Sequence, residues 1–171
     1  MHRMRARSRL LLQLLPYRHC PKCQTQARNH WVAARSRELV PLNYFHIVFT
    51  VPQQLSELML QNKRLLYELL FRSVAATLLE VAANPKHLGG EIGFLGVLHT
   101  WGQTLMHHPH IHCVVPAGGF ARSRTAWVRP KHAGFFLPTR VLSKVFRGKF
   151  MDGLKHLYRA SKLEFMVRSP G

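Results

Sequence analysis

The chain has 171 residues, enough for one core of ordinary size with a small appendage and too few for two full domains. Hydrophobic residues make up 47%, which excludes a disordered chain, and 25 Lys and Arg against 7 Asp and Glu leave a net charge of +18, which points to a polyanionic partner such as nucleic acid. Residues 1–37 hold nine basic and no acidic side chains, 38–119 hold four and five, and 120–171 hold twelve and two. A nearly neutral middle between cationic flanks suits gripping of a phosphate backbone around a central site.

In chain order, the start from Met1 to Leu15 joins arginines to a leucine run, but the run is too short and lacks a small-residue cleavage site, so it is not read as a secretion signal. Nothing approaches a transmembrane span. Three cysteines, Cys20, Cys23 and Cys113, are an odd number without a disulfide spacing, which points to a reducing compartment and a cytoplasmic protein.

Tyr44 to Val51 is rich in β-branched and aromatic residues and is closed by Pro52, predicting the first core strand. Leu55, Leu58, Met59, Leu65, Leu66, Leu69, Leu70, Val74, Leu78 and Leu79 then recur at helical spacing until Asn84-Pro85, predicting a long amphipathic helix with a break near Asn62. Ile92 to Trp101 and His110 to Val115 read as an antiparallel pair around a polar loop containing Gly102, His107, His108 and Pro109. Gly118-Gly119 marks a turn, and Thr125 to Val128 reads as a short strand. Pro138-Thr139 opens a basic helix with Val141, Leu142, Val145, Phe146, Leu154 and Leu157 toward the core. Strand, helix, three strands and helix make an α+β order.

Five histidines fall within the fourteen residues from His99 to His112. On a strand, His108, His110 and His112 share one side while Ile111, Cys113 and Val115 fill the other, so Cys113 reads as core. Two imidazoles two residues apart can grip one metal ion. The plain alternative is a strand whose histidines merely face solvent or hydrogen-bond locally. His107 is expected to face solvent.

Four stretches carry a specific resemblance: Arg18-His-Cys-Pro-Lys-Cys-Gln24, Tyr44-Phe-His-Ile-Val-Phe-Thr-Val-Pro52, Val97-Leu-His-Thr-Trp-Gly-Gln-Thr-Leu105, and His108-Pro-His-Ile-His-Cys-Val-Val-Pro-Ala-Gly-Gly119. In order and spacing they resemble the rolling-circle insertion-sequence transposases, members of the HUH nuclease superfamily with paired catalytic tyrosines. The resemblance runs from about Tyr17 to about Phe150. It implies an α+β fold with an antiparallel sheet of the HUH nuclease type and packed helices, plus a remnant amino-terminal zinc-binding segment. The expected organisation is residues 1–36 as a basic arm with a partial zinc knuckle and 37–171 as the transposase core.

The resemblance further implies nicking and rejoining of single-stranded DNA at transposon ends, with no membrane partner. His110 and His112 would hold a divalent ion, Mg²⁺ or Mn²⁺, against the scissile phosphate, and act as the catalytic pair. Gln103, His99 and His108 are candidates for the third ligand, and Gln103 is the one selected. The nucleophile would be a tyrosine, forming a covalent 5′-phosphotyrosyl end. The family's tyrosines lie on a helix downstream of the matched region, whereas Tyr17, Tyr44, Tyr67 and Tyr158 include no two a helical turn apart. The expectation is therefore a truncated transposase, inactive alone, lacking the tyrosine helix; Tyr158 is read as a helix residue at the edge of the core.

Cys20 and Cys23 have the spacing of half a tetrahedral zinc site, which needs two further ligands; His19 and His30 are the substitutes at hand. The cation and aromatic runs Trp127-Val-Arg129 and Phe146-Arg-Gly-Lys-Phe150 fit base stacking with phosphate contact and fit ordinary amphipathic packing equally well. Two rival readings remain. One is a catalytically dead DNA-binding fragment held to DNA by its cationic arms. The other is an oxygenase with two histidines and a carboxylate, for which Glu91 is the nearby acid.

Overall fold

The computed structural model describes residues 21–102, 106–132, 134 and 136–165. The chain divides into two compact units, residues 1–42 and 43–171. Cys20, Gln103 and Tyr17 lie outside the described residues.

In the first unit, α1 spans Pro21–Ser36. Proline suits the first helical position because its missing N–H has no partner there in any case. Ala27, Trp31 and Ala34 form a half-buried stripe at helical spacing, and Arg35 pairs with Glu38 at 2.8 Å just past the helix.

The second unit is built on a three-stranded antiparallel sheet. Its strands are β1 (Tyr44–Thr50), β2 (Leu95–Trp101) and β3 (His107–Pro116), in the order β1-β3-β2. A single 3-10 turn, Gln53–Leu55, leads from β1 into α2 (Ser56–Gln61) and α3 (Lys63–Ala83). The expected helix break is Asn62, whose backbone leaves the helical region at φ −112° and ψ 40°. Its buried amide donates to the carbonyls of Leu58 (3.1 Å) and Glu164 (2.8 Å), and its oxygen accepts the Glu164 N–H (2.8 Å). An asparagine is tolerated here because these bonds satisfy its polar groups out of water.

Leu66, Leu69, Leu70, Val74, Leu78 and Val81 bury one stripe of α3, and Asn84 ends the helix before Pro85, as the restriction on a residue preceding proline requires. Thr77, fully buried, satisfies its hydroxyl on the Ser73 carbonyl at 2.7 Å. The last helix, α4 (Thr139–Arg159), buries Leu142, Phe146, Phe150 and Leu157. Where it meets α3, a Cβ on Gly153 would collide with Leu69, so glycine sets how closely the two helices pack. Ile111, Cys113 and Val115 of β3 are completely buried and join Phe49 of β1 and the α3 and α4 leucines and phenylalanines in one core. The Phe49 and Phe146 rings sit 5.1 Å apart across it. Each such side chain contributes about 1.5–3 kcal/mol by leaving water.

Several boundaries differ from expectation. The strand expected from Ile92 begins at Leu95, while Glu91 makes an isolated bridge to Phe120. The strand expected from His110 begins three residues earlier, so His107, His108 and Pro109 belong to β3 and not to a loop. Thr125 to Val128 shrinks to β5 (Trp127–Val128), which pairs with β4 (Gly119–Phe120). The turn before β4 is made by Gly118 at φ +136°, where a Cβ would strike the Trp127 ring and the Val128 carbonyl.

Candidate metal centre

Alternation along β3 decides which side chains can form a site. Pro109, Ile111, Cys113 and Val115 are buried toward the helices, and His108, His110 and His112, half-exposed, take the opposite face. The neighbouring strands add to that face through register. His99 of β2 stands opposite His110, and His46 of β1 stands opposite Val114, diagonal to His112.

His99, His110 and His112 each offer a ligand nitrogen, and these atoms lie within 4.8 Å of one another. Ring centroids are 4.2 Å apart for His99 and His112, 4.9 Å for His110 and His112, and 5.4 Å for His99 and His110. The His110 Nδ1–H donates to the His108 carbonyl oxygen at 2.6 Å. A carbonyl can only accept, so Nδ1 carries the proton and Nε2 keeps its lone pair. His46 Nε2 lies 2.7 Å from His112 Nδ1, with the two rings nearly coplanar, 15° between planes, and their centroids 4.9 Å apart. His108 donates from Nδ1 to Gln53 Oε1 at 3.1 Å.

Desolvation lowers the pKa of both His99 and His112, and mutual repulsion within the cluster adds to it: His110 and His46 act on His99, and His99, His110 and His46 act on His112. Both therefore keep their lone pairs to lower pH than a free imidazole. Three neutral imidazoles converging on one point fit a divalent ion of the first transition row, with positions left over for water or an oxygen ligand. Of the two ions that the resemblance implies, this donor set fits Mn²⁺ better than Mg²⁺, which prefers oxygen ligands.

Of the expected site residues, His110 and His112 converge, and among the described residues it is His99 that joins them. Gln103 and Cys20 lie outside the described residues, and Cys23 falls in the first turn of α1 with its side chain undescribed. His46 lies within the Tyr44–Pro52 motif, and only the pairing of β1 with β3 reveals its place. Glu91 does not approach the cluster but pairs with Arg124 at 3.1 Å, which removes the support for an oxygenase reading.

His107 departs from its expected solvent exposure. It sits on the helix side of β3, half-buried, donating from Nδ1 to the Ser56 carbonyl (3.0 Å) and accepting the Tyr67 hydroxyl at Nε2 (2.8 Å). Desolvation lowers its pKa, with a partial opposing effect of the Ser56 carbonyl. Tyr158 is 64% exposed with its ring edge-on to Phe165, not set at the core edge as expected. Phe146 and Phe150 are buried and Lys149 pairs with Glu80 at 2.7 Å, so the Phe146–Phe150 run packs the core and does not offer stacking platforms. Exposed cations remain along α4 at Arg140, Lys144, Arg147, Lys155 and Arg159.

Known proteins place these features in a family. Residues 93–169 match a transposase family described as "Putative transposase", and residues 16–51 match one described as "Transposase zinc-binding domain". "Putative transposase y4qJ" of Sinorhizobium fredii is 54% identical over 86% of this chain and 37% of its own length. The transposase for insertion sequence element IS801 of Pseudomonas savastanoi pv. phaseolicola is 39% identical over 60% of this chain and 24% of its own. The chain thus spans well under half the length of these relatives.

Among solved structures, the metal-bound conjugative relaxase TrwC in complex with oriT DNA superposes with a TM-score of 0.52 at 20% identity, covering 66% of this chain and 43% of the relaxase. The TrwC complex with a 27-mer DNA comprising the recognition hairpin and cleavage site gives a TM-score of 0.53 at 20% identity, over 74% of this chain and 47% of that one. These likenesses show the fold: a mixed helix and antiparallel sheet architecture of the HUH relaxase kind, preceded by a transposase zinc-binding segment. By its two matched segments and its relatives, the chain is similar to the rolling-circle insertion-sequence transposases.

Proposed function

We propose that this chain carries the metal-binding half of a DNA strand-nicking and rejoining centre that acts on single-stranded DNA at transposon ends. The observation that carries this reading is the convergence of His99, His110 and His112 on the open face of β3, with His110 held in the tautomer that leaves Nε2 available. We propose those three as ligands, with Gln103 kept as a further candidate. An ion bound there, Mg²⁺ or Mn²⁺, supplies Lewis-acid polarisation of a phosphoryl oxygen. The histidines hold that point rigidly because their backbones belong to two paired strands. The excess of cations in the flanks and on α4 supplies attraction for a phosphate backbone.

The attacking group is a tyrosine in this reading, and we do not assign it to Tyr44, Tyr67 or Tyr158. Tyr67 is bound to His107 on the helix side of the sheet, and Tyr44 pairs with Pro116, at the end of β3 remote from His108. The chain by itself is therefore read as binding DNA and metal without completing the covalent step. We further propose that residues 1–36 form a basic arm in which Cys20 and Cys23 contribute to zinc binding, with residues 37–171 as the core. We propose a reducing, cytoplasmic setting from the odd number of cysteines and their lack of a disulfide spacing. Among the described residues, no helix is long and apolar enough to cross a membrane.

The test incubates the chain with end-labelled single-stranded DNA and Mn²⁺ and looks for a covalent protein–DNA adduct and for DNA retention at low salt. DNA binding without an adduct is expected. An adduct lost on Tyr158→Phe would reverse the assignment of the nucleophile. DNA binding that is indifferent to metal and survives His110→Ala and His112→Ala would favour instead a catalytically dead DNA-binding fragment.

A further inference from the structure

We infer that His46 is a positioning residue for the metal centre: it accepts the Nδ1–H of His112 and so commits His112 to ligation through Nε2. The inference rests on the metal-centre reading above and adds to it the strand β1, which contributes none of the three clustered ligands.

His46 Nε2 and His112 Nδ1 are 2.7 Å apart, a hydrogen bond that holds one proton between two neutral rings. If His46 donates, the Nδ1 lone pair of His112 is occupied, and the neutral His112 ring carries its own proton on Nε2. Such a ring has no lone pair left for an ion. If His112 donates, its Nε2 keeps a bare lone pair and can serve as a ligand. Metal binding by His112 therefore requires that His46 accept, which places the proton of a neutral His46 on Nδ1.

The same logic already operates at His110, where the His108 carbonyl enforces the Nδ1–H tautomer. The two ligands of β3 are thus anchored differently, His110 by its own strand and His112 by its neighbour. The His46 and His112 rings are nearly coplanar, 15° between planes, as an in-plane N–H···N bond requires, so the bond sets the ring orientation as well as the proton. Groups that orient metal-bound histidines in this way typically account for about 10–100-fold in metal affinity. His46 is exposed and contributes nothing to the buried core, so its replacement leaves the fold in place.

The experiment is calorimetric titration of the full chain with Mn²⁺, alongside the visible spectrum of the Co²⁺-loaded protein. It compares His46→Phe, which keeps an aromatic ring and removes the acceptor, with His46→Gln, which restores an acceptor oxygen at similar reach. His46→Phe is expected to weaken Mn²⁺ binding about 10–100-fold and alter the Co²⁺ spectrum, and His46→Gln to remain within about threefold of the parent. Binding by His46→Phe equal to the parent overturns the role of His46, as does equal weakening by both variants. His110→Ala serves as the reference. If His46→Phe is silent while His110→Ala abolishes binding, the metal centre stands and only the positioning role falls; if His110→Ala and His112→Ala both bind like the parent, the metal centre itself is wrong.

Discussion

The two faces of β3 use the same strand to opposite ends. On the helix side, Pro109, Ile111, Cys113 and Val115 are sealed into the core, and the histidine on that side, His107, is absorbed into structure by the Ser56 carbonyl and the Tyr67 hydroxyl. On the open side, His108, His110 and His112 alternate with them, and His110 and His112 meet His99 and His46. A single residue of parity separates a histidine that pins a helix to a sheet from one that can hold an ion. The residue type is shared; the neighbours brought by β2, α2 and α3 assign the task.

This contrast is open to direct attack. Truncation on the sealed face should cost most in stability: Ile111→Ala is expected to lower the unfolding free energy by about 2–5 kcal/mol, read from urea denaturation. His110→Ala and His112→Ala should do the reverse, leaving stability within about 0.5 kcal/mol while lowering Mn²⁺ affinity by more than about 100-fold. If either histidine variant unfolds the protein, the open face is structural after all.

A smaller effect is expected at the histidine of the sealed face. Tyr67→Phe removes one hydrogen bond to His107 and should cost about 1 kcal/mol without changing Mn²⁺ affinity. A loss of metal binding in that variant would join the two faces that the strand separates.

The pH dependence follows from His99, His107 and His112, whose folded pKa values all lie below the ordinary value of 6.5. Below 6.5 the unfolded chain binds protons that the folded chain resists, so the stabilising effect is complete above that pH and declines as pH falls toward the folded values. Thermal unfolding at pH 5 and pH 7 should show the metal-free protein less stable at pH 5. His107→Gln should narrow the difference; an unchanged pH response would remove His107 from the account. The smallest expected signal is at Cys113, whose thiol burial pushes up to about 12. Peptide mapping after brief alkylation of the folded protein at pH 8 should find Cys113 unmodified, since the thiolate is the reactive form.

Much of this was legible from local patterns. The helical stripe of α3, its break at Asn62 and its stop at Pro85 were readable because periodicity and backbone chemistry act within a few residues. The polarity of β3 followed from its alternation. Its start did not, because His107-His108-Pro109 has the composition of a loop and is held extended by pairing with β2, with a bulge between His99 and Trp101. The burial of Phe146 and Phe150 was likewise ambiguous until the helix met the Phe49 side of the sheet.

For this protein, the sequence by itself determined most elements of the core, though neither α1 nor β4, together with the basic flanks, the His110-Ile111-His112 motif and the resemblance carried by motifs whose order survives in one dimension. Only the tertiary structure decided which other histidines belong with that pair. His99 and His46 lie 11 and 64 residues from His110 along the chain. What brings them to it is strand register, a property of pairings between distant segments that no local pattern encodes.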